Sequence, residues 1–108
     1  MSNLNKVLLV GRLGRDPELR YTTDGTPVAS FTMATSERYK DRSGVRQERT
    51  EWHNIVAWRK LAEIAGEYLR KGSLVYIDDR IQSREYDGKD GIKRRVYEIV
   101  ASDMKMFP

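Results

Sequence analysis

The sequence predicts an all-β fold with one helix, its five strands curled into a small barrel, on three observations. Short runs of alternating apolar residues recur along the chain, bounded by Gly, Pro and Asp turn signals. Only one segment carries the helical period. The length, 108 residues, suits one compact domain, so residues 1–108 are read as a single unit whose strands must close on one another.

The elements follow in order. KVLLVGRL (6–13) is a Leu- and Val-rich strand in which Gly11 marks a bulge or sharp bend. It breaks at Gly14 and Asp16-Pro17, and RYTTDGTP (20–27) carries a second turn signal at Asp24-Gly25. VASFTMATS (28–36) alternates, with Ala29, Phe31 and Met33 on one side and the small hydroxyls Ser30 and Thr32 leaving the other side open. Residues 38–50, polar and centred on Ser43-Gly44, read as a long hairpin or flexible loop leading into the strand TEWHNIVAW (50–58). Leu61, Ile64, Ala65, Tyr68 and Leu69 then trace the apolar stripe of a helix. Gly72 supplies its stop, Arg70 and Lys71 complement the negative end of its dipole, and no capping side chain begins it. SLVYIDDRIQSREY (73–86) and RRVYEIVASDMKMF (95–107) form the last two strands, joined through DGKDG (87–91).

Three strands, a helix and two more strands describe an OB-fold (β-β-β-α-β-β), a partly open five-stranded barrel whose exposed face commonly binds oligonucleotides or oligosaccharides. Closure removes the exposed edges that an open sheet of this size would leave, and the helix plugs one end. An α+β open sandwich is the alternative arrangement.

Composition narrows the function. The longest apolar runs fall far short of the ~20 residues of a membrane helix, and the first residues contain no charged leader followed by an apolar core. A soluble, cytoplasmic protein is expected, with no membrane partner. The absence of cysteine excludes disulfides and thiolate metal sites. A net charge of +4 is mild, so only its distribution carries weight. From Arg38 to Lys60 there are seven basic residues against three acidic ones, with Tyr39, Trp52 and Trp58 interleaved.

Trp52, Asn54, Val56 and Trp58 share one face of their strand, and Ile55 and Ala57 the face suited to a core. The two indoles are separated by roughly 20 Å along the strand, too far for one base to touch both. On the fourth strand Tyr76, Asp78, Arg80, Gln82, Arg84 and Tyr86 repeat an aromatic and cationic face, while Val75, Ile77 and Ile81 take the other. Such a surface suits unpaired nucleic acid, whose bases stack on aromatic rings while Lys and Arg follow the phosphates. Residue pattern alone leaves sugar-binding and protein-binding OB-folds open. Lys93, Arg94 and Arg95 read as solvated surface.

NKVLLVGRLGRDPELRYTTDG, VASFTMATSE, TEWHNIVAW and KLAEIAGEYLRKGSLVYID together resemble the successive blocks of the bacterial-type single-stranded DNA-binding proteins, the replicative OB-fold family, from about Asn5 to Met106. The resemblance implies a homotetramer that binds and protects single-stranded DNA in replication, recombination and repair, at the nucleoid, with no catalysis, cofactor or metal. It implies stacking by Tyr39, Trp52, Trp58 and Tyr86 and phosphate contacts from Arg20, Arg59, Lys60, Lys71 and Arg84, with Arg42 and Arg46 in the basic loop. Family members continue into a Gly, Pro and Gln-rich linker with an acidic tip. This sequence stops at Phe107-Pro108, so tail-mediated replication partners find no support in it.

Tyr39 and Tyr86 stand where many members carry Trp, and Asp79 where they usually carry Gly. An acid on the Val75, Ile77, Ile81 side is expected at a bulge that turns its carboxylate to solvent or a basic partner. The lone His53 is expected to pack or hydrogen-bond, and Leu8 and Val10 form an apolar strip suited to subunit assembly. As a rival, Asp78 and Asp79 are considered as Mg²⁺ ligands for phosphodiester cleavage, but neighbours on a strand face opposite ways.

Overall fold

The computed structural model describes residues 3–108; Met1 and Ser2, which begin the stretch read for a leader, lie outside the described residues. The chain forms strands β1 (Val7–Leu13), β2 (Glu18–Tyr21), β3 (Pro27–Lys40) and β4 (Arg46–Trp58), helix α1 (Lys60–Tyr68), then strands β5 (Leu74–Asp87) and β6 (Lys93–Met106). Alternation determines which side of each strand becomes the interior. Ala29, Phe31, Met33, Ile55, Ala57, Val75 and Ile77 all turn to one buried core. Burying each large apolar side chain is worth about 1.5–3 kcal/mol, enough to fix the register of the strands that carry them.

Five strands close the barrel in the order β1-β5-β6-β4-β3, with β1 returning to β3 through Arg12↔Ala34 and Leu13↔Met33. β4 and β6 meet in parallel at Ile55↔Ile99 and Val56↔Val100, and the remaining pairings are antiparallel. Closure rests on Gly11. A methyl group there would run into the carbonyl oxygen of Ala34, so the bend expected from the sequence is also the point where one backbone passes close to another.

The helix sits as ordered but is turned from its expected face. Ala62, Ala65 and Leu69 are fully buried, while Tyr68, placed on the apolar stripe by its spacing, is exposed. Small residues explain this: the alanines allow the helix to lie close to the barrel, and Gly66 packs under Leu19 of β2, where a Cβ would come within 3.0 Å of the leucine side chain. The helix stops at Tyr68 because Leu69 is already extended, so Gly72 does not end it; Gly72 takes φ 86° in the following turn. Arg70 does serve the helix end, donating to the carbonyls of Gly66 and Leu69 at 3.0 and 2.6 Å.

Two further expectations are corrected, and one choice is decided. Residues 38–50 form the long hairpin, not a flexible loop: β3 and β4 pair continuously from Val28↔Trp58 out to Lys40↔Arg46. Asp41 ties the connecting turn by accepting from the backbone N–H groups of Ser43 and Val45 at 2.9 and 3.0 Å. The segment assigned only turn signals contains β2, which pairs with β3 from Glu18↔Ser30 to Tyr21↔Pro27 and lies outside the closed barrel. Ile81, placed with the core residues of its strand, is exposed because β5 has by then run beyond the barrel.

Candidate nucleic-acid interface

The outward face of β4 is the centre of the candidate site. Its residues Trp52, Asn54, Val56 and Trp58 pair with Ala34, Thr32, Ser30 and Val28 of β3, and opposite residues of an antiparallel pair share a face. Core residues Ile55 and Ala57 occupy the alternate positions and hold the strand in place. Both indoles therefore stand outside the barrel, Trp52 at 55% exposure and Trp58 at 40%. The Trp52 ring lies against Gly14, where a Cβ would come within 2.6 Å of its Cζ3 atom.

Two adjoining depressions of about 340 and 440 Å³ cross this face, sharing Ser30, Val56, Arg84 and Glu98. Arg20 and Trp58 line the larger one. Arg59 lines a neighbouring hollow beside Trp58 and Arg80. Its backbone takes φ 57° at the corner between β4 and α1, a left-handed conformation that costs a non-glycine residue on the order of 1–3 kcal/mol. Lys60 follows as the first helical residue. Lys71 lies beyond the helix, and its backbone N–H donates to Asp16 Oδ1 at 2.8 Å, which ties it to a residue lining the smaller depression.

Other expected residues lie away from this groove. Arg42 is in the β3–β4 turn, with Tyr39 and Arg46 in the strands beside it, and Tyr86 is near the tip of the β5–β6 hairpin. The β3–β4 register places Tyr39 on the face shared with Glu37, Arg49 and His53, opposite that of Trp52. Tyr86 shares the outward face of Arg84 and Gln82 and pairs with Arg94, while Glu98 stands opposite Gln82. Sequence reading passed over Ser30, Asn54 and Glu98 as site residues. Their shared outward alternation was the available signal, but polar residues at such positions look the same on any solvated face.

Ion pairs temper the basic character. Arg20 lies 3.8 Å from Glu18, and Arg84 Nε donates to Glu98 Oε1 at 2.6 Å. His53 meets Thr35 Oγ1 at 2.8 Å through Nε2, the hydrogen bonding expected of it.

Asp79 departs from expectation. The register does shift between Asp78 and Asp79, leaving Ser102 of β6 unpaired, but the Asp79 carboxyl faces the core rather than solvent or a base. It is 2% exposed, and among the described residues neither oxygen has a hydrogen-bond partner. Burial, aided by the neighbouring Asp78 charge, pushes it up to about 7. Asp78 faces outward and accepts from Lys6 Nζ at 3.0 Å, so the two carboxylates cannot share one Mg²⁺.

A small closed barrel with one helix and an aromatic-flanked groove on its outer face defines an OB-fold binding domain. The description Single-strand binding protein family matches residues 4–107, and the chain belongs to that family. It is 65% identical over 105 residues to the single-stranded DNA-binding protein of Neisseria meningitidis serogroup A, covering 97% of this chain and 60% of that one. Against single-stranded DNA-binding protein 1 of Chlorobaculum tepidum the identity is 58%, over 96% of this chain and 65% of that one. The chain thus spans about 60–65% of the length of these curated relatives. A solved Plasmodium falciparum SSB complex with ssDNA superposes with a TM-score of 0.88 at 31% identity, covering 100% of this chain and 98% of that chain. The single-stranded DNA binding protein from Thermus aquaticus, solved as a deletion mutant, gives 0.84 at 30% identity over 97% and 51%.

Proposed function

We propose that this protein binds and protects single-stranded DNA in replication, recombination and repair, without catalysis and without sharp sequence preference. The observation that carries this reading is the pair of indoles held outside a closed barrel beside a groove containing Arg20 and Arg84. Bases freed from a duplex stack on Trp52 and Trp58, and Tyr39 and Tyr86 extend the stacking surface along the two hairpins. Arg20, Arg59, Lys60 and Lys71 contact phosphates around the barrel, and Arg42 and Arg46 do so at the β3–β4 tip. Stacking accepts any base because every base has a π-face, which is why binding is sequence-tolerant.

Assembly into a homo-oligomer, a tetramer by family resemblance, is part of the proposal. β1 pairs with β5 from Val7 to Arg12 but reaches β3 only at Arg12 and Leu13, so most of its other edge is free to pair. Leu8 and Val10 are exposed beside that edge. No helix among the described residues is long and apolar enough to cross a membrane. Action in the cytoplasm at the nucleoid follows from the proposed DNA partner.

A fluorescence titration tests the reading. Tryptophan emission is expected to fall on adding oligo(dT) and to stay nearly unchanged with an equal length of duplex. Trp52→Ala and Trp58→Ala should each weaken binding by about 1–3 kcal/mol. Lys60→Ala should flatten the log–log salt dependence by roughly 0.7, the increment for one phosphate contact on a single strand. Equal affinity for duplex and single strands would overturn the proposal.

A further inference from the structure

Two of the hairpin tyrosines, Tyr39 and Tyr86, carry a guanidinium over the ring. Arg84 Cζ lies 5.8 Å from the centroid of Tyr86, and Arg49 Cζ lies 5.1 Å from that of Tyr39, both within cation–π range. A carboxylate holds each guanidinium in turn: Glu98 accepts from Arg84 Nε at 2.6 Å, and Glu37 lies 3.6 Å from Arg49 Nη1. The two arrangements arise from different strand geometry. On β5, Arg84 and Tyr86 are successive residues of one face, with Glu98 opposite Gln82 one step back. On β3, Glu37 and Tyr39 are the successive pair, and Arg49 stands opposite Glu37 on β4. Diagonal neighbours in such ladders lie about 7–8 Å apart, within reach of long side chains.

A guanidinium hydrogen-bonded to a carboxylate at 2.6 Å and lying over an aromatic ring, as Arg84 is, is directed at the ring rather than at a phosphate. We infer that Arg84, and by the same geometry Arg49, are positioning residues for single-strand binding: each sets the orientation of its tyrosine so that a nucleobase stacks on the open face of the ring, and Glu98 and Glu37 hold the guanidinium in place. This rests on the single-strand reading of the site and changes the role of Arg84 within it, from phosphate ligand to ring support. Arg49 gains a role that family resemblance did not supply. The β5–β6 set is the stronger of the two, because its ion pair is shorter and the Glu98 side chain is only 20% exposed, against 69% for Glu37.

The test uses charge against geometry. Oligo(dT) affinity is measured across a salt series for the wild type and for Arg84→Lys, Arg84→Met and Glu98→Gln, with circular dichroism confirming that each is folded. Positioning predicts that Arg84→Lys, which keeps the charge and loses the planar fork, weakens binding about two- to fivefold. It also predicts that Glu98→Gln weakens binding although it removes a negative charge from the groove, that Glu37→Gln has a smaller effect, and that the salt slope stays at the wild-type value in Arg84→Met. Wild-type affinity in Arg84→Lys, tighter binding by Glu98→Gln, or a slope flattened by about 0.7 in Arg84→Met would assign Arg84 to a phosphate and overturn the inference. Failure of the single-strand reading itself looks different: the wild-type titration is flat and Trp52→Ala changes nothing, and the positioning role goes with it.

Discussion

At the scale of single residues, the outward-facing tryptophans and the buried Asp79 obey the same alternation with opposite consequences. An indole on the solvent face supplies a large flat apolar surface, whereas a carboxyl on the core face loses its water without gaining a partner. A carboxyl raised from 3.8 to about 7 makes stability depend on pH. Below about pH 4 it is protonated in both the folded and the unfolded chain and brings no penalty. Between there and about pH 7 the unfolded chain gives up the proton while the folded chain keeps it, so stability falls as pH rises; above that range both are ionised and the loss is complete. At about 1.36 kcal/mol per unit the total is on the order of 4 kcal/mol. Urea unfolding of Asp79→Asn should be nearly flat across this window where the wild type declines, and parallel curves for the two proteins would contradict the assignment. The Lys6–Asp78 pair beside it is screened by solvent on the Lys6 side and does not reverse this trend.

Among the elements, two glycines at the end of β1 are required for different reasons, and their substitutions separate fold from site. Gly11 lies against backbone, the Ala34 carbonyl, which has little freedom to move aside. Gly11→Ala should therefore destabilise the barrel by about 1–3 kcal/mol in equilibrium unfolding. Gly14 lies against the far end of a side chain, the Trp52 ring, which can swing away. Gly14→Ala is expected to leave the unfolding midpoint close to wild type and to weaken oligo(dT) binding, because the displaced indole loses the backing that orients it. A Gly14→Ala protein with wild-type affinity would show that the ring needs no such support. The strand-to-helix corner adds a third local device, since the left-handed Arg59 places a cation beside Trp58 at a conformational cost that a glycine would avoid.

For the molecule as a whole, the long hairpins and the free edge of β1 set the possibilities. The chain extends 55 Å along its longest axis against 37 Å along its shortest, because β3–β4 and β5–β6 continue past the barrel they close. These hairpins carry Tyr39 and Tyr86 away from the central groove, so a strand engaging all the proposed stacking residues must follow a path around the protein. Oligonucleotides of increasing length are therefore expected to gain affinity well beyond the length that covers Trp52 and Trp58. On β1, a charge placed on the exposed apolar strip should oppose assembly. Val10→Asp is expected to sediment as a smaller species than the wild type at low micromolar concentration, and an unchanged species would exclude the β1 strip from the interface.

How much of this was legible in the sequence follows from where each residue sits. Alternation in VASFTMATS pointed to the core face of β3, but both faces of TEWHNIVAW carry apolar residues, and it is the pairing of Ile55 and Ala57 with Phe31 and Ala29 that puts the tryptophans outside. Block resemblance determined the family and the fold, and Gly11 marked the bend. Beyond the barrel this signal faded. Residues 38–50 pair without a core beneath them, so their strand character leaves no apolar period, and β2 is too short and exposed to show one. Tertiary structure alone decided that Asp79 is sealed in the core, that Tyr68 is not, and that Arg84 and Arg49 lie over tyrosines under the hold of carboxylates. Those outcomes depend on distances between strands remote in sequence, and a one-dimensional pattern encodes which face a side chain takes but not what meets it there.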